Sequence, residues 1–217
     1  RSGVKVTAVL GDPLAPKGAR GVAPVGETRV IVEPGMPRSF TYAILRPWRP
    51  VRDTISYNQG IMIDSLAQAI INRRLEAKAR AGGSFLVSMV NKEKVVRSAD
   101  ATYVMITPLG PDWKSAVRDT RGVIADAMAK PPTQEEIDRE VKEFGVAFES
   151  GVEQRRLQPG AKLADDMVTA LDIRETIASP ETVLQIFNSS KPLFTPANVL
   201  ARTRAMFGGN VTRAVYV

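Results

Sequence analysis

Four cations, Arg73, Arg74, Lys78 and Arg80, crowd the end of a segment whose apolar residues recur with helical spacing. Such groups can grip a carboxylate or a peptide C-terminus, arginine through its planar fork. Arg73 and Arg80 continue the line of the apolar stripe Ile63, Leu66 and Ile70, which aims them nearer the covered side of the helix than an average surface arginine. The spacing favours a simpler reading, in which cations in the last turns stabilise the helix by roughly 0.3–1 kcal/mol each. A second group, Glu135, Glu136, Asp138, Glu140 and Glu143, could hold a cation or pair its carboxylates. It lacks the alternating Asp/Asn and central Gly of a calcium loop. Its spacing predicts a solvated helix face, with acids in the first turn where the helix dipole favours them.

The missing residue types exclude more than the present ones suggest. The chain contains no histidine and no cysteine. The usual zinc sites need imidazole or thiolate, and carboxylates alone suit harder cations. Cysteine nucleophiles and Ser-His pairs are excluded for the same reason, as are disulfides. Neither phosphate-cradling glycine loop is present. The net charge is +7, with the cation excess in the first hundred residues. Those cations are scattered singly, with no Lys/Arg-rich run, so a basic solvated surface is expected rather than a nucleic-acid partner. Trp48 and Trp113 stand beside loops and are expected as core anchors, not stacking platforms. No apolar run approaches the roughly 18–20 residues of a membrane span. The chain opens without methionine or a signal peptide and closes on a strand-like run from Val211, which suggests a domain taken from a longer polypeptide.

The elements that must position these residues follow from periodicity and punctuation. Val4–Leu10 alternates and could be a strand or the remnant of a helix, and Gly11–Gly26 reads as a linker. Thr28–Glu33 and Ser39–Leu45 are predicted strands separated by Pro34-Gly35. The second places Phe40, Tyr42 and Ile44 on one face, with Thr41 and Ala43 on the other. The strongest helix is predicted over Thr54–Arg80, with Asp53 as N-cap, Asp64, Gln68, Asn72 and Glu76 as a polar stripe, and Gly82-Gly83 as its stop. Strands follow at Ser84–Val90 and Ala101–Thr107, joined by the charged segment Asn91–Asp100. Helices are then predicted over Asp112–Lys130, from a capping box at Thr133 and Glu136, over Lys162–Ile177, and after Ser179-Pro180 and Thr195-Pro196. The helix after Thr133 carries Ile137, Val141, Phe144 and Phe148 inward. The pattern predicts an α+β fold, a mostly antiparallel sheet with helices packed on it. Residues 1–27 are expected to be a linker or boundary segment and 28–217 a single domain.

This order of elements resembles a domain of the insulinase/pitrilysin family of zinc metallopeptidases, the inverzincins, which includes mitochondrial-processing-peptidase-like proteins. The likeness is carried by Arg29-Val30-Ile31-Val32-Glu33-Pro34-Gly35-Met36-Pro37 and by the helix ending Ile70-Ile71-Asn72-Arg73-Arg74-Leu75-Glu76 with its strand from Phe85. It continues through Thr107-Pro108, Trp113, Pro132-Thr133-Gln134-Glu135-Glu136-Ile137 and Phe194-Thr195-Pro196-Ala197-Asn198-Val199. In that family the catalytic domain carries H-x-x-E-H, which binds zinc and activates water. None of that motif is present here. The resemblance therefore implies a non-catalytic domain that walls the substrate chamber of a zinc-dependent metalloendopeptidase. Its own cofactor would be none, with zinc in the parent's catalytic domain.

The implied partners are the catalytic domain of the same polypeptide or a homologous subunit, and the peptide substrate. A bacterial periplasm or envelope location follows from the family alone. Some partner domains of the family offer an arginine and a tyrosine seven residues apart to the substrate carbonyl. That pattern falls here on Lys78 and Phe85, and phenylalanine cannot donate a hydrogen bond to an oxyanion. A gap would bring Arg80 into the arginine position, with nothing in place of the tyrosine. Arg73, Arg74, Lys78, Arg80 and Phe85 are the candidate chamber-facing residues. The alternative is an inactive structural or scaffold subunit of the same fold.

Overall fold

The computed structural model describes residues 38–208 and the backbone of 212–216. The readings at Val4–Leu10, Gly11–Gly26, Thr28–Glu33 and Arg29–Pro37 lie outside the described residues.

Alternation in Phe40–Pro47 produces strand β1, with Phe40 and Ile44 buried towards the helices. Strand β2 (Phe85–Val95) and strand β3 (Ala99–Pro108) form a long hairpin, and β4 (Thr212–Tyr216) closes the sheet. The order is β2-β3-β1-β4, and every described pairing is antiparallel. The strands of the hairpin run through the segment expected as a charged connection. Its charges alternate with the strand period, which turns Lys92 and Lys94 towards carboxylates on the helical side. The turn is tight, with Val96 at φ 52°.

Helix α1 (Ile55–Arg80) is the hub against which β2 and most other helices pack. Its N-cap is Thr54, whose hydroxyl accepts from the Tyr57 N–H at 3.2 Å. The expected cap, Asp53, instead accepts from the Asn58 side chain and from the Thr176 N–H at 2.6 Å, which ties the start of α1 to a distant loop. Leu66, Ile70, Ile71 and Leu75 meet Val90, Val104 and Ile106 of the sheet in the core.

The polar stripe of α1 has a structural task. Among the described strands β2 lies at an edge of the sheet, and its outward backbone groups need partners. The Asn72 amide donates to the Val90 carbonyl at 3.0 Å and its oxygen accepts from the Val90 N–H at 2.7 Å, while Gln68 accepts from the Lys92 N–H at 2.9 Å. The helix thus blocks the edge that another chain would otherwise extend.

Helices α2 (Trp113–Ala129) and α3 (Gln134–Glu153) follow, the latter starting on the full Thr133–Glu136 capping box. Helix α4 (Gly160–Asp172) ends five residues before its expected limit, at a turn where Arg174 takes φ 59°. Helices α5 (Pro180–Ser190) and α6 (Pro196–Phe207) begin on Ser179 and Thr195 as the sequence predicts. Phe148, Phe187 and Phe194 form an aromatic chain, with ring centroids 5.1 and 5.8 Å apart, that joins α3 and α5 to the core. Trp113 stacks on Phe40 at 5.4 Å but remains 41% exposed, so it borders the core rather than anchoring it. Trp48 is half-buried, with Arg174 5.8 Å from its ring centroid.

Candidate functional site

The cations that crowd the end of α1 diverge in space. Arg74 donates two parallel hydrogen bonds to Glu136, at 2.7 and 2.8 Å. Arg73 donates through Nε and Nη2 to Glu140, and through Nη2 to Glu143 at 2.7 Å. Glu140 is buried, and a small cleft of about 110 Å³ remains between the two helices. The acidic group of α3 is therefore a solvated face only in part: Glu135, Asp138 and Glu143 are exposed, while Glu136 is half-buried and Glu140 buried. Three of its five members receive the arginines of α1. The Arg74 guanidinium holds the Glu136 carboxyl at about 2, against the opposing effect of burial and with help from the Thr133 N–H.

Lys78 turns the other way, to within 3.9 Å of Asp119 on α2. Among the described residues Arg80 reaches only its own helix neighbour Glu76, at 2.9 Å, and it is largely exposed. Phe85 lies in the core, 2% exposed, and presents no group to a ligand. Arg73 and Arg74 thus share one helix interface, whereas Lys78 and Arg80 remain accessible from solvent.

A second constellation lies at the other end of α1, around a groove of about 830 Å³. Buried Asp64 accepts from Arg202 of α6 at 2.6 Å and from the Lys92 ammonium at 2.8 Å, while Arg202 also donates to the Gly60 carbonyl at 3.1 Å. Lys94 donates to the Tyr57 hydroxyl at 2.5 Å and to Glu175, and Tyr57 donates to the same carboxylate at 3.1 Å. Arg46 donates to Thr102 and to the Met206 carbonyl, and lies 3.6 Å from Asp100. Burial pushes the Lys94 ammonium below its usual value, opposed by the charge of Asp100, and burial pushes the Tyr57 hydroxyl up. Burial also works to raise the Asp53 carboxyl, but its hydrogen bonds from Thr176 and Asn58 outweigh that and hold it down.

Sequence reasoning missed this constellation because its members come from β1, α1, β2, β3, α6 and the turn after α4. The one local signal was Asp64, a carboxylate beside the apolar stripe of a helix. Of the groove's carboxylates, Asp64, Asp100 and Glu175 are met by cations and Glu93 accepts from the Asn91 amide, and no described group of His, Cys, Asp or Glu could hold a metal ion. The arrangement ties the sheet to α1, α6 and the turn after α4 through paired charges. It offers no metal-activated water and no cysteine or Ser-His nucleophile.

No family profile and no curated protein sequence matches the chain. Solved structures do. The chain superposes on the periplasmic protease PqqL of Escherichia coli with a TM-score of 0.71 at 13% identity, covering 82% of this chain and 20% of that one. For the solved first half of PqqL the TM-score is 0.68 at 14% identity, covering 77% and 36%. An inactive peptidase domain from Bordetella parapertussis matches at TM-score 0.55 and 14% identity, over 87% of this chain and 95% of that one. The fold is that of insulinase-type peptidase domains. The chain spans about a third or less of the PqqL structures, and nearly the whole of the inactive domain. At these identities the insulinase-type likeness is one of fold. No described helix is long and apolar enough to cross a membrane.

Proposed function

We propose that this chain is a non-catalytic domain of a zinc-dependent metalloendopeptidase, docked beside a catalytic domain and walling the substrate chamber. One observation carries the reading: an insulinase-type peptidase fold built without a single histidine, so that H-x-x-E-H cannot exist in it. Zinc and the activated water belong, on this reading, to the catalytic domain of the same polypeptide or of a homologous subunit. The match to a solved inactive peptidase domain over nearly its full length supports this role.

Docking is supported by exposed apolar side chains grouped on two faces. Leu86, Val87 and Met89 stand out from β2, and Val168 and Leu171 from α4, each at least 41% exposed. Lys78 and Arg80 are the accessible chamber-facing candidates. Arg73 and Arg74 serve the wall by locking α3 to α1, and Phe85 serves it from the core. The likeness to a periplasmic protease supports a periplasmic location.

The test is to measure zinc content and cleavage of a fluorogenic peptide by the chain alone and combined with the polypeptide that precedes it in its parent. Inert and metal-free alone, with cleavage in combination, is the expected result. A combination that also stays inert and metal-free would replace this reading with the structural-subunit one.

A further inference from the structure

We propose that a groove between α2 and β1 binds an extended peptide segment in which acidic and apolar residues alternate. The groove has a volume of about 870 Å³. Its floor is apolar, formed by Phe40, Ile44 and Phe207, and Val117 and Met128 stand along its wall. Its rim carries Lys114, Arg118 and Arg121, which lie on one face of α2 because residues three and four apart are neighbours on a helix.

Two local choices on this face work against the helix that makes it. Like charges at this spacing repel each other. The acids at the start of the helix relieve it only at Arg118, whose charge acts on Asp112 and Asp119. Asp112 is held by Ser115 and Asp119 by Ser84, while neither Arg118 nor Arg121 makes an ion pair with a described residue. The second choice is Gly122, mid-helix and on the groove, where glycine disfavours the helix relative to alanine. A Cβ there would meet no described atom within 4 Å, so the packing does not require glycine. A missing side chain beside unpaired cations is what a ligand backbone passing close to the helix would need.

The chemistry of the occupant follows from charge and spacing. Lys114 and Arg118 are about 6 Å apart along the helix axis. Alternate residues of an extended peptide lie about 6.6 Å apart, so acids at every second position meet the rim while the residues between them reach the apolar floor. This inference stands whether or not the parent is a peptidase.

The experiment uses the full chain and fluorescence polarisation with a labelled peptide of alternating Glu and Val. Comparison peptides replace Glu by Lys, or Val by Ser. The Glu/Val peptide is expected to bind at least about tenfold more tightly than either, and to weaken as salt rises. Arg118→Glu combined with Arg121→Glu is expected to weaken it about tenfold or more. The same reversal at exposed Arg52 and Lys142 should change it less than about twofold, which separates the rim from the charge of the whole chain. Gly122→Phe should abolish binding by filling the groove, and Gly122→Ala should weaken it, with thermal melts confirming that each variant is folded. Equal binding of the Lys/Val or Glu/Ser peptide, unchanged binding by folded Gly122→Phe, or no binding to the full chain would overturn the proposal.

Discussion

Replacing Glu136 by glutamine separates the charge of the α1–α3 contact from its shape. Glutamine can keep the capping interaction with Thr133, but it cannot pair with Arg74 as an ion. The Glu136 carboxyl lies at about 2 in the folded chain against the ordinary 4.5 of a glutamate. At about 1.4 kcal/mol per pH unit, this displacement corresponds to an upper bound on the order of 3 kcal/mol. Glu136 and Arg74 are 25% and 22% exposed. Water therefore screens part of the attraction, and about 1–2 kcal/mol is expected at neutral pH. The folded value lies below the unfolded one, so this contribution is complete above about pH 5 and is lost as pH falls from about 4.5 to 2. Urea unfolding of both proteins at about pH 7, 5 and 2.5, at constant ionic strength, measures the gap between them directly. The gap should be about 1–2 kcal/mol at the two higher values and fall to about a quarter of that at the lowest. A gap of the same size at every pH would refute the reasoning, because it would mean that packing and not charge distinguishes the two side chains.

Further substitutions probe other joints of the fold. Arg73→Met leaves buried Glu140 without its main partner and should cost about 2–4 kcal/mol. Adding Glu140→Leu should recover most of that loss, and a double-mutant cycle that shows no recovery would argue against the pairing. Asn72→Leu strips both hydrogen bonds from Val90 on the edge strand and should cost about 1–3 kcal/mol. The Val90 amide should then exchange with solvent faster than the amides of β3, and unchanged protection would contradict the edge-blocking role. Gly82→Ala places a side chain at φ 86° in otherwise open space and should cost about 1 kcal/mol. Gly83→Ala should cost more, because its Cβ would lie 2.8 Å from the Lys78 carbonyl oxygen, and thermal melts that rank the two the other way would refute this.

Much of the fold is legible in the sequence because its signals are local. Thr133 with Glu136, Ser179-Pro180 and Thr195-Pro196 each satisfy helix-end N–H groups through neighbours in the chain, so a reader of the sequence can place them. Even there, adjacent residues compete. Asp53 and Thr54 are both good caps, and the choice fell to Thr54 because a loop more than a hundred residues away engages Asp53. The charged run Asn91–Asp100 reads as a connection by its charge, but its alternation is that of a strand. Its lysines are tolerated in a strand only because Asp64 and Glu175 wait opposite them.

The functional residues divide along the same line. That the chain cannot assemble an H-x-x-E-H zinc centre follows from its residue types alone, since no folding supplies a missing imidazole or thiolate. The direction in which a cation points does not follow from residue types. Arg73 and Arg74 are adjacent in the chain and read like Lys78 and Arg80. Yet the first two are claimed by carboxylates of α3 while the last remains largely in solvent. The grooves are also products of packing, because Arg46, Asp64, Lys92 and Arg202 converge only when β1, α1, β2 and α6 are in place. Composition determines which chemistry the chain lacks. Tertiary structure decides which of its charges are still free to meet another molecule, because pairing depends on distance in space and not along the chain.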